Sequence, residues 1–238
     1  MSELKLKGVT VVDTFAEAFP MWGARIVITA ESAGWAGEAA RSVTGFATSV
    51  IGCKCEAGVE RVLDPAETPD GRPGVSVLLF APDRDGLAKR LVERVGQSVL
   101  TCPTTACFSG LEGEETVDVG GQLRYFGDGY QASKVLDGSR YWRVPVMEGE
   151  FLVEERFGVV EGVAGGNIIM LGRDAESALR ASEAAAAATS SSSPRTSRRR
   201  CGRPRRRRRR CAPWRGRSCR SRAGSRAAAA RSARGTRR

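Results

Sequence analysis

Six consecutive residues, Phe126-Gly127-Asp128-Gly129-Tyr130-Gln131, place two glycines, an acid, a phenol and an amide in one short stretch. Glycine lets backbone approach a ligand closely, while the Asp128 carboxylate, the Tyr130 hydroxyl and the Gln131 amide can orient it. The same residues also describe a glycine turn carrying a cross-strand tyrosine. A second stretch, Gly162-Val163-Ala164-Gly165-Gly166-Asn167, could present backbone N–H groups to an anion or a carbonyl. It lacks the G-x-G-x-x-G spacing and the Walker lysine of nucleotide loops, which argues against a dinucleotide site. Glu148 and Glu150 bracket Gly149 and could share a proton if buried together, although such pairs more often mark a solvated strand end.

The chain has no histidine. Ser-His-Asp and Cys-His arrangements are therefore impossible within it, and no imidazole can hold a metal. Acid–base chemistry falls to carboxylates, Tyr, Lys or Cys, or to the substrate itself. Cys53, Cys55, Cys102 and Cys107 sit among apolar and small residues, a pattern that fits reduced, packed thiols of a cytosolic protein. A zinc site would want paired C-x-x-C-type spacing or histidine partners, and these four offer neither.

The elements that must position these residues can be read from periodicity. β-Branched and aliphatic runs predict strands at Val9–Val12, Arg25–Thr29, Thr48–Gly52, Val75–Phe80, Ser98–Cys102, Tyr141–Val146, Gly149–Val153 and Gly166–Leu171. Ser32 caps a helix carrying Trp35, Ala39, Ala40 and Val43, with Gly34 and Gly37 weakening it. Asp83 caps a helix whose Leu87, Leu91 and Val95 recur every four residues, and Asp174 caps another that runs through Ala188. Prolines and glycines between Pro65 and Gly74 predict a turn or ordered loop. The order β-α-β, β-α-β matches an α+β fold, the split βαβ sandwich. A doubly wound parallel sheet would need a helix between every pair of strands, and none fits the connection from Cys53 to Pro73.

Composition changes abruptly after Ala188. Ser190 to Arg238 holds 20 arginines with no Lys, Asp or Glu, in an alphabet of Ser, Pro, Arg, Thr, Cys, Gly, Ala and a single Trp. All of these have G- and C-rich codons, so the stretch reads as a GC-rich gene translated out of frame. Cys201, Cys211 and Cys219 fall within it. Without aliphatic residues and with mutual repulsion among its charges, it is expected to be disordered. The 38 basic residues less these 20 leave 18 against 27 acids, a net −9 for the body, so the chain's +11 belongs to the tail. The run Arg205–Arg210 would bind nucleic acid or another polyanion non-specifically, but the tail lacks lysine and interleaved aromatics. No 18 consecutive apolar residues occur, and Met1-Ser2-Glu3-Leu4-Lys5 has no apolar core of a signal peptide. A soluble, cytoplasmic protein with no membrane contact is expected.

Five motifs in order carry a family resemblance. Asp13-Thr14-Phe15-Ala16-Glu17-Ala18-Phe19, Thr44-Gly45-Phe46-Ala47-Thr48-Ser49-Val50-Ile51, Glu67-Thr68-Pro69-Asp70-Gly71-Arg72-Pro73-Gly74, Phe126 to Gln131 and Gly162 to Asn167 closely resemble formylmethanofuran:tetrahydromethanopterin formyltransferase. The likeness covers roughly Leu6 to Ala188. It implies an acyltransferase of one-carbon metabolism, in methanogenesis or formaldehyde oxidation, that moves a formyl group from formylmethanofuran to N5 of tetrahydromethanopterin. Those two carriers are substrates, and no permanently bound cofactor or metal is implied. The family further implies two similar ferredoxin-like lobes, a homo-oligomer, and compatibility with a larger formyltransferase/hydrolase complex.

On that resemblance, residues 1–145 form the N-terminal (distal) lobe, 146–189 the start of an incomplete C-terminal (proximal) lobe, and 190–238 the disordered arginine-rich tail. Substrate contacts are expected from Gly127, Asp128, Gly129, Tyr130 and Gln131, and from Gly165, Gly166 and Asn167. The family's catalytic acid belongs to its later half and maps to no position here, which leaves the activity of this chain open. Asp13 and Glu17, flanked by Phe15 and Phe19, serve either a site or a subunit interface. Two other readings stand beside the enzyme: a basic-tailed polyanion or nucleic-acid-binding protein, and a non-catalytic scaffold lobe.

Overall fold

The most apolar uninterrupted run before residue 74, Ile26-Val27-Ile28, lies in the strand on which the fold is built. The computed structural model describes residues 3–6, 9–12, 19–147, 149–164 and 170–191. In chain order they form strands β1 (Glu3–Leu6), β2 (Val9–Val12) and β3 (Phe19–Thr29), then helices α1 (Ala33–Thr44) and α2 (Val50–Cys53). Strands β4 (Glu56–Leu63) and β5 (Gly74–Ala81) follow, then helix α3 (Arg84–Arg94), strands β6 (Ala106–Ser109) and β7 (Glu115–Asp118), and helix α4 (Gly120–Leu123). Strands β8 (Ala132–Leu136), β9 (Ser139–Val146), β10 (Gly149–Glu154) and β11 (Arg156–Ala164) lead to helix α5 (Ala175–Ser191).

The unit β3-α1-β4-β5-α3-β6 has strand order β4-β5-β3-β6, and every neighbouring pair in it is antiparallel. That is the split βαβ order, in an α+β architecture. Both long helices are started by the residues expected to cap them: Ser32 Oγ accepts from the Trp35 N–H at 3.2 Å, and Asp83 from the Gly86 N–H at 2.7 Å. Ala36, Ala39, Ala40 and Val43 of α1 and Leu87 and Leu91 of α3 are buried in one core with Ile26, Ile28, Val77 and Leu79 of the sheet. Small residues along α1 let it sit close to the strands. The opposite face of the sheet has its own smaller cluster, Val27, Leu63, Ala106 and Phe108, with Tyr141 and Leu152 against it.

Beyond β6 the sheet continues through β10, which is parallel to it, and then β9 and β8. Strand β11 returns to β3, pairing Val159–Ala164 with Phe19–Ala24, and holds β7 on its other side. Phe151, Val153, Phe157 and Val159 thereby join the core of the first unit.

Three expectations are corrected by the structure. Thr48–Gly52 is not a strand: Thr48 makes a single bridge, Ser49 caps α2, and Lys54 ends that helix in the left-handed region. The returning strand is β4, within the Cys53–Pro73 connection for which no strand was expected; it is interrupted by a bulge between Val59 and Arg61, pairs along its length with β5, and meets Thr48 in the single bridge at Glu56. Ser98–Cys102 is not a strand either, because α3 runs on as a π turn over Val95–Val99 with Val95 and Val99 buried. The strand is β6, formed by Ala106–Ser109. Of Gly166–Leu171, residues 166–169 lie outside the described residues, and Met170 and Leu171 are not in a strand. Asp174 does cap α5, accepting the Ser177 N–H at 2.7 Å. Asp13, Phe15, Glu17, Glu148 and the arginine-rich stretch from residue 192 also lie outside the described residues.

Candidate functional site

The Phe126–Gln131 loop is positioned by α4 and by the 3-10 turn Arg124–Gly127 that continues it. Gly120 and Gly121 are both buried, and Leu123 anchors the turn in the core. Asp128, at φ 48° and ψ 44°, and Gly129, at φ 87°, then reverse the chain into β8. Aspartate is among the few residues that enter the left-handed region at modest cost. Three bonds close the loop: Asp128 N–H to Tyr125 O at 3.2 Å, Tyr130 N–H to Gly127 O at 2.8 Å, and Gly129 N–H to Gln131 Oε1 at 2.9 Å.

The two loop glycines do different work. Gly127 is buried, and a Cβ there would lie 2.8 Å from Gln131 Cβ and 3.3 Å from Pro145 Cδ, so its backbone approaches the protein's own chain. Gly129 faces open space and supplies a positive φ. Asp128 is exposed, Tyr130 is 83% exposed, and Gln131 is half-buried with its carbonyl oxygen already engaged. Gly165, Gly166 and Asn167 lie outside the described residues.

Neighbours that sequence reasoning missed frame this loop. The Arg124 guanidinium sits 4.8 Å from the Tyr125 ring centre and 4.9 Å from that of Trp142, and it donates to the Tyr125 hydroxyl at 2.8 Å. Trp142 on β9 donates from Nε1 to Glu155 at 3.1 Å, and Arg140 lies 3.5 Å from the same carboxylate. The signal available in sequence was the aromatic pair Tyr125-Phe126 leading into the glycines; the partnership of Arg124 with Trp142 exists only through β9.

Glu150 pairs with Arg143 at 3.0 Å and lines a cleft of about 150 Å³ with Glu31, Arg72 and Thr104. Arg72 is fully engaged there: Nε donates to Asp70 at 2.8 Å, Nη1 to the Thr104 carbonyl at 2.6 Å and Nη2 to Thr29 Oγ1 at 3.1 Å. The Glu67–Gly74 motif thus fastens its loop to the end of β3. Cys53, Cys55, Cys102 and Cys107 are free thiols. Burial pushes the Cys107 thiol far up, which removes it as a nucleophile at neutral pH.

Glu154, not singled out in the sequence, is a half-buried carboxyl on β10. Burial raises its pKa, partly offset by the Ser109 N–H it accepts at 2.9 Å and by the Ser139 hydroxyl. A carboxyl with a raised folded-state pKa holds its proton more tightly folded than unfolded, so stability falls as pH rises through its titration. Glu154→Gln keeps an acceptor for Ser109 and removes the ionisation. Urea midpoints measured from mildly acidic to neutral pH should fall less steeply in the variant than in the parent; parallel profiles would show that Glu154 does not govern this slope.

The sequence itself decides the family. Residues 4–146 match formylmethanofuran-tetrahydromethanopterin formyltransferase, and residues 149–195 match the proximal lobe of that family. The chain belongs to this formyltransferase family. The two matched stretches meet at the β9–β10 hairpin, yet β10 and β11 pair with β6 and β3 in the same sheet. A formyltransferase of Methylococcus capsulatus is 57% identical over 180 residues, which is 76% of this chain and 60% of the relative. In solved structures, the crystal structure of the formyltransferase/hydrolase complex of Methylorubrum extorquens with methylofuran contains a chain 51% identical, with TM-score 0.75. That match covers 79% of this chain and 64% of the other. The formyltransferase of Methanosarcina barkeri matches at 48% identity and TM-score 0.74, covering 79% and 63%. The chain therefore spans about 60% of the length of the curated formyltransferases it matches.

Proposed function

We propose that this chain serves formyl transfer from formylmethanofuran to N5 of tetrahydromethanopterin. The observation that carries the reading is the ordered family match over residues 4–146 and 149–195. The chemistry suits a chain without histidine. The N5 lone pair attacks the formyl carbon, a tetrahedral oxyanion forms, and the C–N bond to the methanofuran amine breaks as a proton passes from N5 to that leaving amine. A protein promotes this by aligning two substrates and by placing hydrogen-bond donors on the oxyanion.

Asp128, Tyr130 and Gln131, with the Gly129 turn that presents them, are the substrate contacts of this reading among the described residues. Gly165, Gly166 and Asn167 complete it as donors from the family motif. No described residue is assigned as the catalytic acid. The same reading places the protein in the cytoplasm, as a homo-oligomer and as a candidate member of a formyltransferase/hydrolase assembly; no helix among the described residues is long and apolar enough to cross a membrane.

The test is direct: the intact chain is mixed with formylmethanofuran and tetrahydromethanopterin and both carriers are followed by chromatography. Formyl should leave one carrier and arrive on the other in equal amounts. Formyl remaining wholly on methanofuran at enzyme concentrations near those of substrate would overturn the reading.

A further inference from the structure

Helix α2 ends at a pair of thiols that the formyl-transfer reading leaves unused. Lys54, at φ 64° and ψ 9°, reverses the chain between Cys53 and Cys55, so that Cys53 Sγ donates to the Ser49 carbonyl at 2.8 Å and to the Cys55 carbonyl at 3.0 Å. Cys53 is half-buried and Cys55 is buried. Arg94, at the end of α3, donates from Nε to Cys55 Sγ at 3.1 Å. It also donates to the Val43, Gly45 and Phe46 carbonyls at 2.7, 3.0 and 3.1 Å. Those three acceptors are uncharged, so they hold the guanidinium in place without neutralising it. Two thiols, one of them within reach of solvent, therefore share a fixed positive charge, the setting in which a thiol becomes reactive. Burial pushes both thiols up, and the Arg94 charge with local hydrogen bonds pulls both down; the balance leaves Cys53 below the ordinary thiol value and Cys55 above it.

We propose that Cys53 and Cys55 form an oxidation site, at which hydrogen peroxide converts Cys53 to a sulfenic acid and Cys55 closes it to a disulfide. The Cys53 thiolate attacks one peroxide oxygen, the O–O bond breaks, and the departing hydroxide is protonated to water by solvent. The Cys55 sulfur then displaces the sulfenic hydroxyl, which leaves with the Cys55 proton as a second water. The two thiols lose two electrons and peroxide gains them; a small dithiol reverses the step by exchange. The other described thiols lack this setting. Cys107 is wholly buried, and Cys102 is raised by burial and by the nearby Glu38 charge. Closing the disulfide also replaces the thiol that Arg94 grips with a weaker acceptor, while its remaining bonds tie down Val43 to Phe46 at the end of α1. The oxidation state is thereby transmitted to the connection from α1 to α2, where Phe46 and Ile51 stand 83% and 86% exposed.

Trypsin gives a direct readout, because Lys54 separates the two cysteines: residues 42–54 carry Cys53 alone and residues 55–61 carry Cys55 alone. The intact chain is treated with hydrogen peroxide for timed intervals, remaining thiols are alkylated in urea, and the digest is weighed by mass spectrometry. The two peptides should emerge joined and two hydrogens lighter, and should separate on reduction with dithiothreitol. In the native chain Cys53 should oxidise at least about tenfold faster than Cys102, and the two rates should converge when peroxide is added in urea, where Arg94 no longer faces the pair. Cys55→Ser should abolish the joined peptides and leave Cys53 as a sulfenic acid that dimedone captures. Oxidation of Cys53 no faster than that of Cys102 in the native chain overturns the proposal. So does a digest in which Cys53 stays free, or is joined only to Cys201, Cys211 or Cys219. None of these readouts requires formyl transfer, so the two proposals fail separately.

Discussion

Replacing Gly120 with alanine should destabilise the protein by about 3 kcal/mol or more, at the upper end of what overpacking a buried position costs. A Cβ at Gly120 would overlap the Glu154 carbonyl and stand 3.0 Å from Glu155 Cα. Those atoms are backbone, at the junction of β10 and β11, and no rotamer change can move them aside. Gly120 also donates its N–H to the Glu155 carbonyl at 3.0 Å, so the close approach is itself hydrogen-bonded. Relief would have to come from α4, and α4 is what delivers Arg124 and the Tyr125–Gln131 loop. Urea or thermal unfolding measures the stability, with Gly52→Ala as the control, because nothing lies within 4 Å of a Cβ at that position. A Gly120→Ala protein as stable as the control would show that α4 yields easily, and the loop would then have no rigid foundation.

The second large effect is expected at Arg25. Its Nε and Nη2 donate to the two oxygens of Glu60, each at 2.7 Å, and Ser76 Oγ donates to the same carboxylate at 2.6 Å. The Glu60 side chain is only 6% exposed. Arg25→Met strips a buried carboxylate of its guanidinium and should cost about 3 kcal/mol, the lower end for a broken buried pair because Arg25 itself is 27% exposed. Replacing both, as Arg25→Met with Glu60→Leu, should recover most of that loss. Chemical denaturation of the two singles and the double closes the cycle. If the double variant is as unstable as the sum of the singles, the cost lies in lost packing and not in the stranded charge.

How much of this was legible in advance follows from where each element gets its stability. Helices α1, α3 and α5 announce themselves because Ser32, Asp83 and Asp174 act within three residues of where they stand. Strand β5 is legible because Val75, Val77, Leu79 and Ala81 are all buried on one face. By contrast, β4 is a strand only because β5 lies beside it; its Glu60 is buried through a partner far away in sequence, which no local pattern encodes. Val50-Ile51 has strand-forming side chains but obeys the Ser49 cap and the Lys54 reversal instead. At the loop, the glycines and Asp128 correctly predicted a turn. Their separate roles are set by the fold, since Gly127 is constrained by Pro145 and Arg124 by Trp142, both delivered by β9.

The split allegiance of β3 sets a timetable for synthesis. Its Arg25–Thr29 half finds β5 and β6 early, but among the described residues the Phe19–Met21 end pairs only with β11. Roughly 140 residues must be made in between, which at ribosomal rates of about 5–20 residues per second leaves a strand end waiting for roughly 7–28 seconds. A bare strand end is an invitation to the wrong neighbour. Pro20 stands in that end, opposite Val163 in the finished sheet, and has no N–H to offer an intruder. The nascent chain thus carries its own guard at the strand end that, among the described pairings, must wait longest.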